Sequence, residues 1–297
     1  MPGLLFSAGF PEVPMVIPRF TAIAATVLAL SLDVLAQSAA PRITPDVVYG
    51  HKDGLAMTFD VLTPPNPNGA GVLFMVSGGW VSTWAPPEGG LRRFELLLNK
   101  GFTVFSVRHG SSPRYKVPDA AADVDRAVRF IKLNATKFGV DPARLGAWGG
   151  SAGGHLSLML GLDPDQGDAQ ARDEILRGPS GLAAVVAWFP PVDLRGWTGP
   201  SKDFPALEFD AELAPSVSPI LFVSKDDPPT LLIHGDADRL VPISHSQRMH
   251  AALKEAGVTT DFVTIPGGTH GFAGNPEHTR QATELMVAWF ERHLLKK

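Results

Sequence analysis

Ser151, Asp236, Asp238 and His270 are the residues of this chain whose types and order could carry acyl transfer by a nucleophilic side chain. Ser151 is the centre of Gly149-Gly150-Ser151-Ala152-Gly153, a G-x-S-x-G pattern. A serine hydroxyl is a weak nucleophile at neutral pH unless a base accepts its proton, so the pattern demands an imidazole and an acid to orient it. When G-x-S-x-G forms a tight turn between a strand and a helix, acid and histidine follow in that order, as they do here.

The elements around Ser151 meet that requirement. Arg144–Trp148 is a short apolar run predicted as a buried strand, and His155–Leu160 reads as a helix. The glycines beside Ser151 leave room for a strained turn, and the helix places its positive end beneath the hydroxyl. Thr230–His234 is a predicted strand running into Gly235-Asp236-Ala237-Asp238, and Asp261–Ile265 is one running into Pro266-Gly267-Gly268-Thr269-His270. Open α/β sheets place their sites just past such strand ends.

Further strands are expected at Asp46–Tyr49 and Leu55–Leu62, joined by an Asp53-Gly54 turn, and at Gly71–Val76, Thr103–Val107 and Leu182–Trp188. Helices are expected at Leu91–Asn99, Asp119–Lys137, Ser244–Ala256 and His278–Leu295, the first closed by Gly101. Alternation of the two predicts an α/β fold with a mostly parallel central sheet and helices on both faces. Pro190–Pro229 is irregular and proline-rich and reads as a small lid over the site, since loops of this length usually carry function.

The chain of 297 residues is 44% apolar, enough for one large domain. Its formal charge of −4 comes with scattered basic residues, so no nucleic-acid footprint is present. The absence of cysteine removes disulfides and thiol chemistry. No histidine cluster has zinc-ligand spacing and no glycine-rich loop suits a dinucleotide, so neither metal nor cofactor is expected. Met15–Ala40 has the parts of a secretory signal: Arg19, the apolar run Phe20–Leu32, and Val34-Leu35-Ala36 at its end. The apolar run is shorter than a membrane span needs. The expected organisation is a signal peptide over residues 1–36, with translation starting at Met1 or Met15, a linker at 37–45 and a hydrolytic domain at 46–297. Cleavage after Ala36, with Ala40 as the second choice, would leave a secreted or periplasmic protein without stable membrane insertion.

From about Val47 onward the chain resembles the α/β-hydrolase superfamily, and within it esterases of the hormone-sensitive-lipase-like and acetyl or feruloyl carbohydrate-esterase groups. The resemblance rests on Gly149-Gly150-Ser151-Ala152-Gly153-Gly154-His155, on His234-Gly235-Asp236-Ala237-Asp238-Arg239-Leu240-Val241-Pro242, on the His270 loop and on Arg108–Asp125. It implies a catalytic triad of Ser151, Asp238 and His270, with Asp236 serving the turn. His155, in the first turn of the helix, reads as structural, and His234, at a strand end, as orienting the acid loop. The family's His-Gly-Gly-Gly-Trp loop reads Val76-Ser77-Gly78-Gly79-Trp80 here. Its oxyanion donors are backbone N–H groups, so Gly78 or Gly79 together with Ala152 is the expected oxyanion hole. Trp80, His109 and Trp188 are the candidate substrate-binding residues. The implied reaction is hydrolysis of a small-molecule or carbohydrate ester through an acyl-enzyme; a prolyl-oligopeptidase-type peptidase and a non-catalytic binding protein are the rivals.

Overall fold

A run of β-prone residues folds back at Asp53 and Gly54, whose left-handed backbones make the hairpin turn. It joins β1 (Arg42–Lys52) antiparallel to β2 (Leu55–Thr63), both longer than their sequence patterns suggest. The computed structural model describes residues 40–295, together with Gly3 and Gly9, so nearly all of the leader expected at 1–36 lies outside the described residues. Contacts divide the chain into Met1–Ala39 and Ala40–Lys297, and the second unit holds every element named below.

Largely apolar runs give the buried parallel strands β3 (Gly71–Met75), β4 (Thr103–Val107), β5 (Leu145–Gly150), β6 (Ala184–Trp188) and β7 (Thr230–Gly235); β8 (Thr260–Ile265), at the sheet edge, is more polar and buries only Ile265. The eight strands form one sheet in the order β1-β2-β4-β3-β5-β6-β7-β8. Pairing is antiparallel from β1 through β2 to β4 and parallel elsewhere. The strand order reverses at β3, between β4 and β5, and this is where an open α/β sheet leaves a crevice at its carboxyl edge.

The helices are α1 (Leu91–Asn99), α2 (Val117–Leu133), the single turn α3 (Ala135–Phe138), α4 (Ala152–Leu162), α5 (Ser244–Glu255) and α6 (Pro276–Leu294). One helix was expected over Asp119–Lys137; Asn134 breaks it into α2 and α3, leaving the helical region and bonding its side-chain amide to the Phe130 carbonyl. Phe94, Leu97 and Leu98 of α1 and Met286, Trp289 and Phe290 of α6 cover one sheet face. Helices α2, α4 and α5 cover the other, through Val124, Val128, Leu156, Leu158, Met249 and Leu253 among others. Helix α4 has no polar stripe to offer water, and all its residues are buried. The segment 190–229 contains four short 3-10 turns, at Pro205–Leu207, Ala211–Leu213, Pro215–Val217 and Pro219–Leu221.

Candidate active site

Strand β5 delivers its chain to Ser151 at φ 54° and ψ −122°, a strained conformation for an L-residue. The neighbouring glycines are what make this turn fit. A Cβ on Gly149 would stand 2.5 Å from the Gly153 carbonyl carbon, and one on Gly153 would stand 2.8 Å from the Met75 oxygen. The Ser151 N–H donates to the Trp188 carbonyl at 2.9 Å, tying the turn to β6. Its hydroxyl is thereby fixed over the sheet edge at the N-terminus of α4.

The loops after β7 and β8 bring up the other two groups. His270 Nε2 lies 2.9 Å from Ser151 Oγ, and His270 Nδ1 lies 2.7 Å from Asp238 Oδ2. Asp238 Oδ1 accepts the N–H groups of Leu240 at 2.9 Å and Val241 at 3.0 Å, so both carboxylate oxygens are committed and the group cannot rotate away. Asp236 instead accepts the Gly267 N–H at 2.7 Å and holds the two loops together. His234 is buried beneath them: its Nε2–H donates to the Val241 carbonyl at 2.9 Å, and the Ser246 hydroxyl donates to Nδ1 at 2.8 Å. Burial pushes its pKa down, and a neutral ring suits both bonds.

Gly79 and Trp80 follow β3 with consecutive left-handed φ values of 57° each. The turn they make pairs the Gly78 N–H with the Val81 carbonyl at 3.1 Å. Of the two glycines expected to serve an oxyanion, Gly78 therefore has its N–H occupied, while that of Gly79 has no protein acceptor among the described residues. The Ala152 N–H, in the first turn of α4, is likewise without one. Ser77, the departure from the glycine motif noted in the sequence, donates its hydroxyl to His109 Nε2 at 2.9 Å; His109 Nδ1–H in turn donates to the Gly110 carbonyl at 2.8 Å. His155 receives the Trp80 indole N–H on Nδ1 at 3.3 Å and donates Nε2–H to the Val217 carbonyl at 2.8 Å. Fully enclosed, its pKa is pushed down to about 4, so it remains a neutral bridge between the glycine turn, α4 and the 190–229 segment.

Ser151 opens into a cavity of 250 Å³ walled by Gly79, Trp80, Pro191, Trp197, Phe204, Leu207, Leu240 and Val241. Of the three substrate candidates only Trp80 is among these. Trp188 is instead packed in the core against Trp148 and Phe272, with ring centres at 4.8 and 5.8 Å, because odd and even residues of β6 face opposite sides of the sheet. His109 is buried behind the glycine turn through its bond to Ser77. Trp197, Phe204 and Leu207 come from the irregular segment, whose lack of periodicity gave no sign of which side chains turn inward.

The family model BD-FAE matches residues 59–253. This chain belongs to the BD-FAE family. The BD-FAE match covers the Ser151 turn and the Asp238 loop, and it sets the chain among hormone-sensitive-lipase-like α/β-hydrolases. Esterase LipQ of Mycobacterium tuberculosis is 28% identical over 244 residues, which are 77% of this chain and 57% of LipQ. The chain spans a little over half the length of the first curated relatives it matches. An ethyl acetate hydrolase of Pseudomonas putida is 26% identical over 284 residues, covering 86% of this chain and 84% of that enzyme. A truncated carbohydrate esterase from gut microbiota superposes with a TM-score of 0.72 at 28% identity, covering 88% of this chain and 99% of its own.

Proposed function

We propose that this chain is a serine carboxylesterase that hydrolyses short-chain acyl or aryl esters, of acetyl or feruloyl type and borne on carbohydrate, through an acyl-enzyme. The observation that carries the reading is the unbroken hydrogen-bonded chain from Ser151 Oγ through His270 to Asp238, opening on an apolar pocket beside two unpartnered backbone N–H groups. His270 takes the Ser151 proton as Oγ attacks the ester carbonyl, and gives it to the departing alcohol. Asp238 holds Nδ1 protonated and stabilises the imidazolium. The Gly79 and Ala152 N–H groups receive the carbonyl oxygen as it becomes an oxyanion, a service worth about 100- to 1000-fold in rate per donor. Water then repeats the sequence on the acyl-enzyme.

Pocket size supports the acyl range. An apolar cavity of about 150 Å³ accommodates a benzene molecule, so 250 Å³ suits a short acyl group or one substituted ring rather than a long chain. The names of the relatives support ester substrates and, in the carbohydrate esterase, an ester borne on a carbohydrate. The leader pattern at 1–36 supports export to the periplasm or medium. The test is hydrolysis of p-nitrophenyl acetate, butyrate and octanoate by the purified chain and by Ser151→Ala. Activity falling with acyl length and lost by a factor of about 10⁴ or more in the variant is expected. Turnover indifferent to Ser151 would exclude the acyl-enzyme, and ester-inert protein would move the weight to peptide substrates or pure binding.

A further inference from the structure

Tryptophan is the side chain with most to gain from burial, and four of the six in this chain are buried: Trp80, Trp148, Trp188 and Trp289. Trp84 is 57% exposed, more than any other large apolar side chain among the described residues. It is nevertheless held in place. Its indole N–H points at the Asp46 carboxylate, 3.1 Å from Oδ1 and 3.4 Å from Oδ2. Asp46 is itself fixed: it sits at an irregularity in the β1–β2 register with φ 50°. Its N–H donates to Asp60 Oδ1 at 2.9 Å, and its carboxylate accepts Arg108 Nη2 at 2.8 Å. Arg108 in turn is buried and paired with Asp60. A ring tethered by its edge to such a network, and still more than half exposed, presents a face to solvent. No aromatic ring or cation covers that face among the described residues.

The loop bearing Trp84 is the one that begins with the glycine turn. Ser82 N–H donates to Ser111 Oγ at 2.7 Å, Ser111 Oγ–H donates back to the Ser82 carbonyl at 2.8 Å, and Ser112 N–H reaches the Trp80 carbonyl at 3.3 Å. The loop is thus laced to the segment leaving β4. Trp84 is five positions beyond Gly79, a reach of at most about 18 Å, and its tether runs through Asp46 to Arg108 at the carboxyl end of β4, so the indole lies on the same edge of the sheet as Ser151.

We propose that Trp84 is a stacking platform for a pyranose ring of an oligosaccharide chain whose acyl group enters the Ser151 pocket. A pyranose has one apolar C–H face and a rim of hydroxyls. It matches a single open indole face whose surroundings are polar, here the Asp46 carboxylate and the exposed Thr83 hydroxyl. A flat aromatic ligand would gain more from a slot that closes on both of its faces, which this surface lacks. The rigid tether lowers the ordering cost of binding, which is the physical use of anchoring an exposed ring. The inference rests on the esterase reading for its place in turnover, whereas binding of the sugar chain does not.

Two measurements on the full chain separate these. The first is kcat/KM on acetylated xylo-oligosaccharides divided by kcat/KM on p-nitrophenyl acetate, for the parent, Trp84→Ala and Trp84→Phe. The ratio is expected to fall about three- to tenfold in Trp84→Ala, chiefly through KM, and to recover only in part in Trp84→Phe, which restores a ring face but not the tether to Asp46. An unchanged ratio, whether both activities hold or fall together, overturns the proposal. The second is titration of unacetylated xylo-oligosaccharide against the intrinsic fluorescence of the parent and of Trp84→Ala. A saturable change in the parent that is lost in the variant supports the platform even in a protein inert to every ester, which would defeat the esterase reading alone. No saturable change in the parent overturns the proposal.

Discussion

Two aspartates two residues apart do different work, and their hydrogen bonds separate them. Asp238 reaches His270, whereas Asp236 spends an oxygen on the Gly267 N–H. Asp238→Asn is expected to lower kcat on p-nitrophenyl acetate by about 10⁴ through the wrong imidazole tautomer. Asp236→Asn keeps an acceptor oxygen for Gly267 and is expected to stay within about tenfold. Equal losses in the two variants would contradict the assignment. The order of Ser151, Asp238 and His270 was legible because strand-end loops announce themselves by glycine and proline after an apolar run. The choice between Gly78 and Gly79 was not legible, since it depends on a carbonyl, that of Val81, brought round by a turn with two left-handed residues. Ser77 was legible only as a departure from the related motif; its hydroxyl bond to His109 compensates for the changed loop by tying it to the β4 exit.

At the scale of elements, alternation of apolar runs with helical spacing foretold the sheet, the five main helices and Leu91–Asn99 to the residue. The inward side chains of 190–229 could not be read, because 3-10 turns impose no long period on the sequence. Lys116 is one of the ties that fix this segment to the body, beside His155: its ammonium donates to the Pro205 carbonyl at 2.7 Å, close to Phe204, which presses over Gly79, where an added Cβ would stand 3.1 Å from the ring. Lys116→Met is expected to loosen the Phe204 wall and raise the butyrate-to-acetate ratio of kcat/KM by about two- to fivefold, roughly the worth of one partly exposed hydrogen bond. An unaltered ratio would mean that the wall stands without the lysine. The acid and histidine loops are fitted more tightly still: a Cβ on Gly235 would fall 2.0 Å from the Gly268 oxygen. Gly235→Ala must therefore push Asp238 away from His270, with kcat expected to fall at least about 100-fold, as misplacement by an ångström or so commonly costs. Retained kcat would show that the loops can move as a pair.

For the molecule as a whole, four enclosed histidines set the response to acid. Burial pushes down the pKa of His109, His155, His234 and His245, and that of His155 falls from 6.5 to about 4. The unfolded chain takes up protons on these rings before the folded one does, so their contribution is complete above about pH 6.5 and is lost as pH falls toward 4. His155 alone accounts for on the order of 3 kcal/mol across that window. Asp125, Asp163 and Asp227, whose pKa values burial raises, act in the opposite sense at the lower end. The urea midpoint is expected to drop steadily between pH 6.5 and 4.5, and a flat profile would contradict the neutral bridge assigned to His155. Because α4 is enclosed on every side, the nucleophile stands on the part of the protein least able to open by itself. Proteases that sample local fraying should nick surface loops long before they reach it, so the first fragments of a limited digest should all carry the stretch from β5 through α4 uncut.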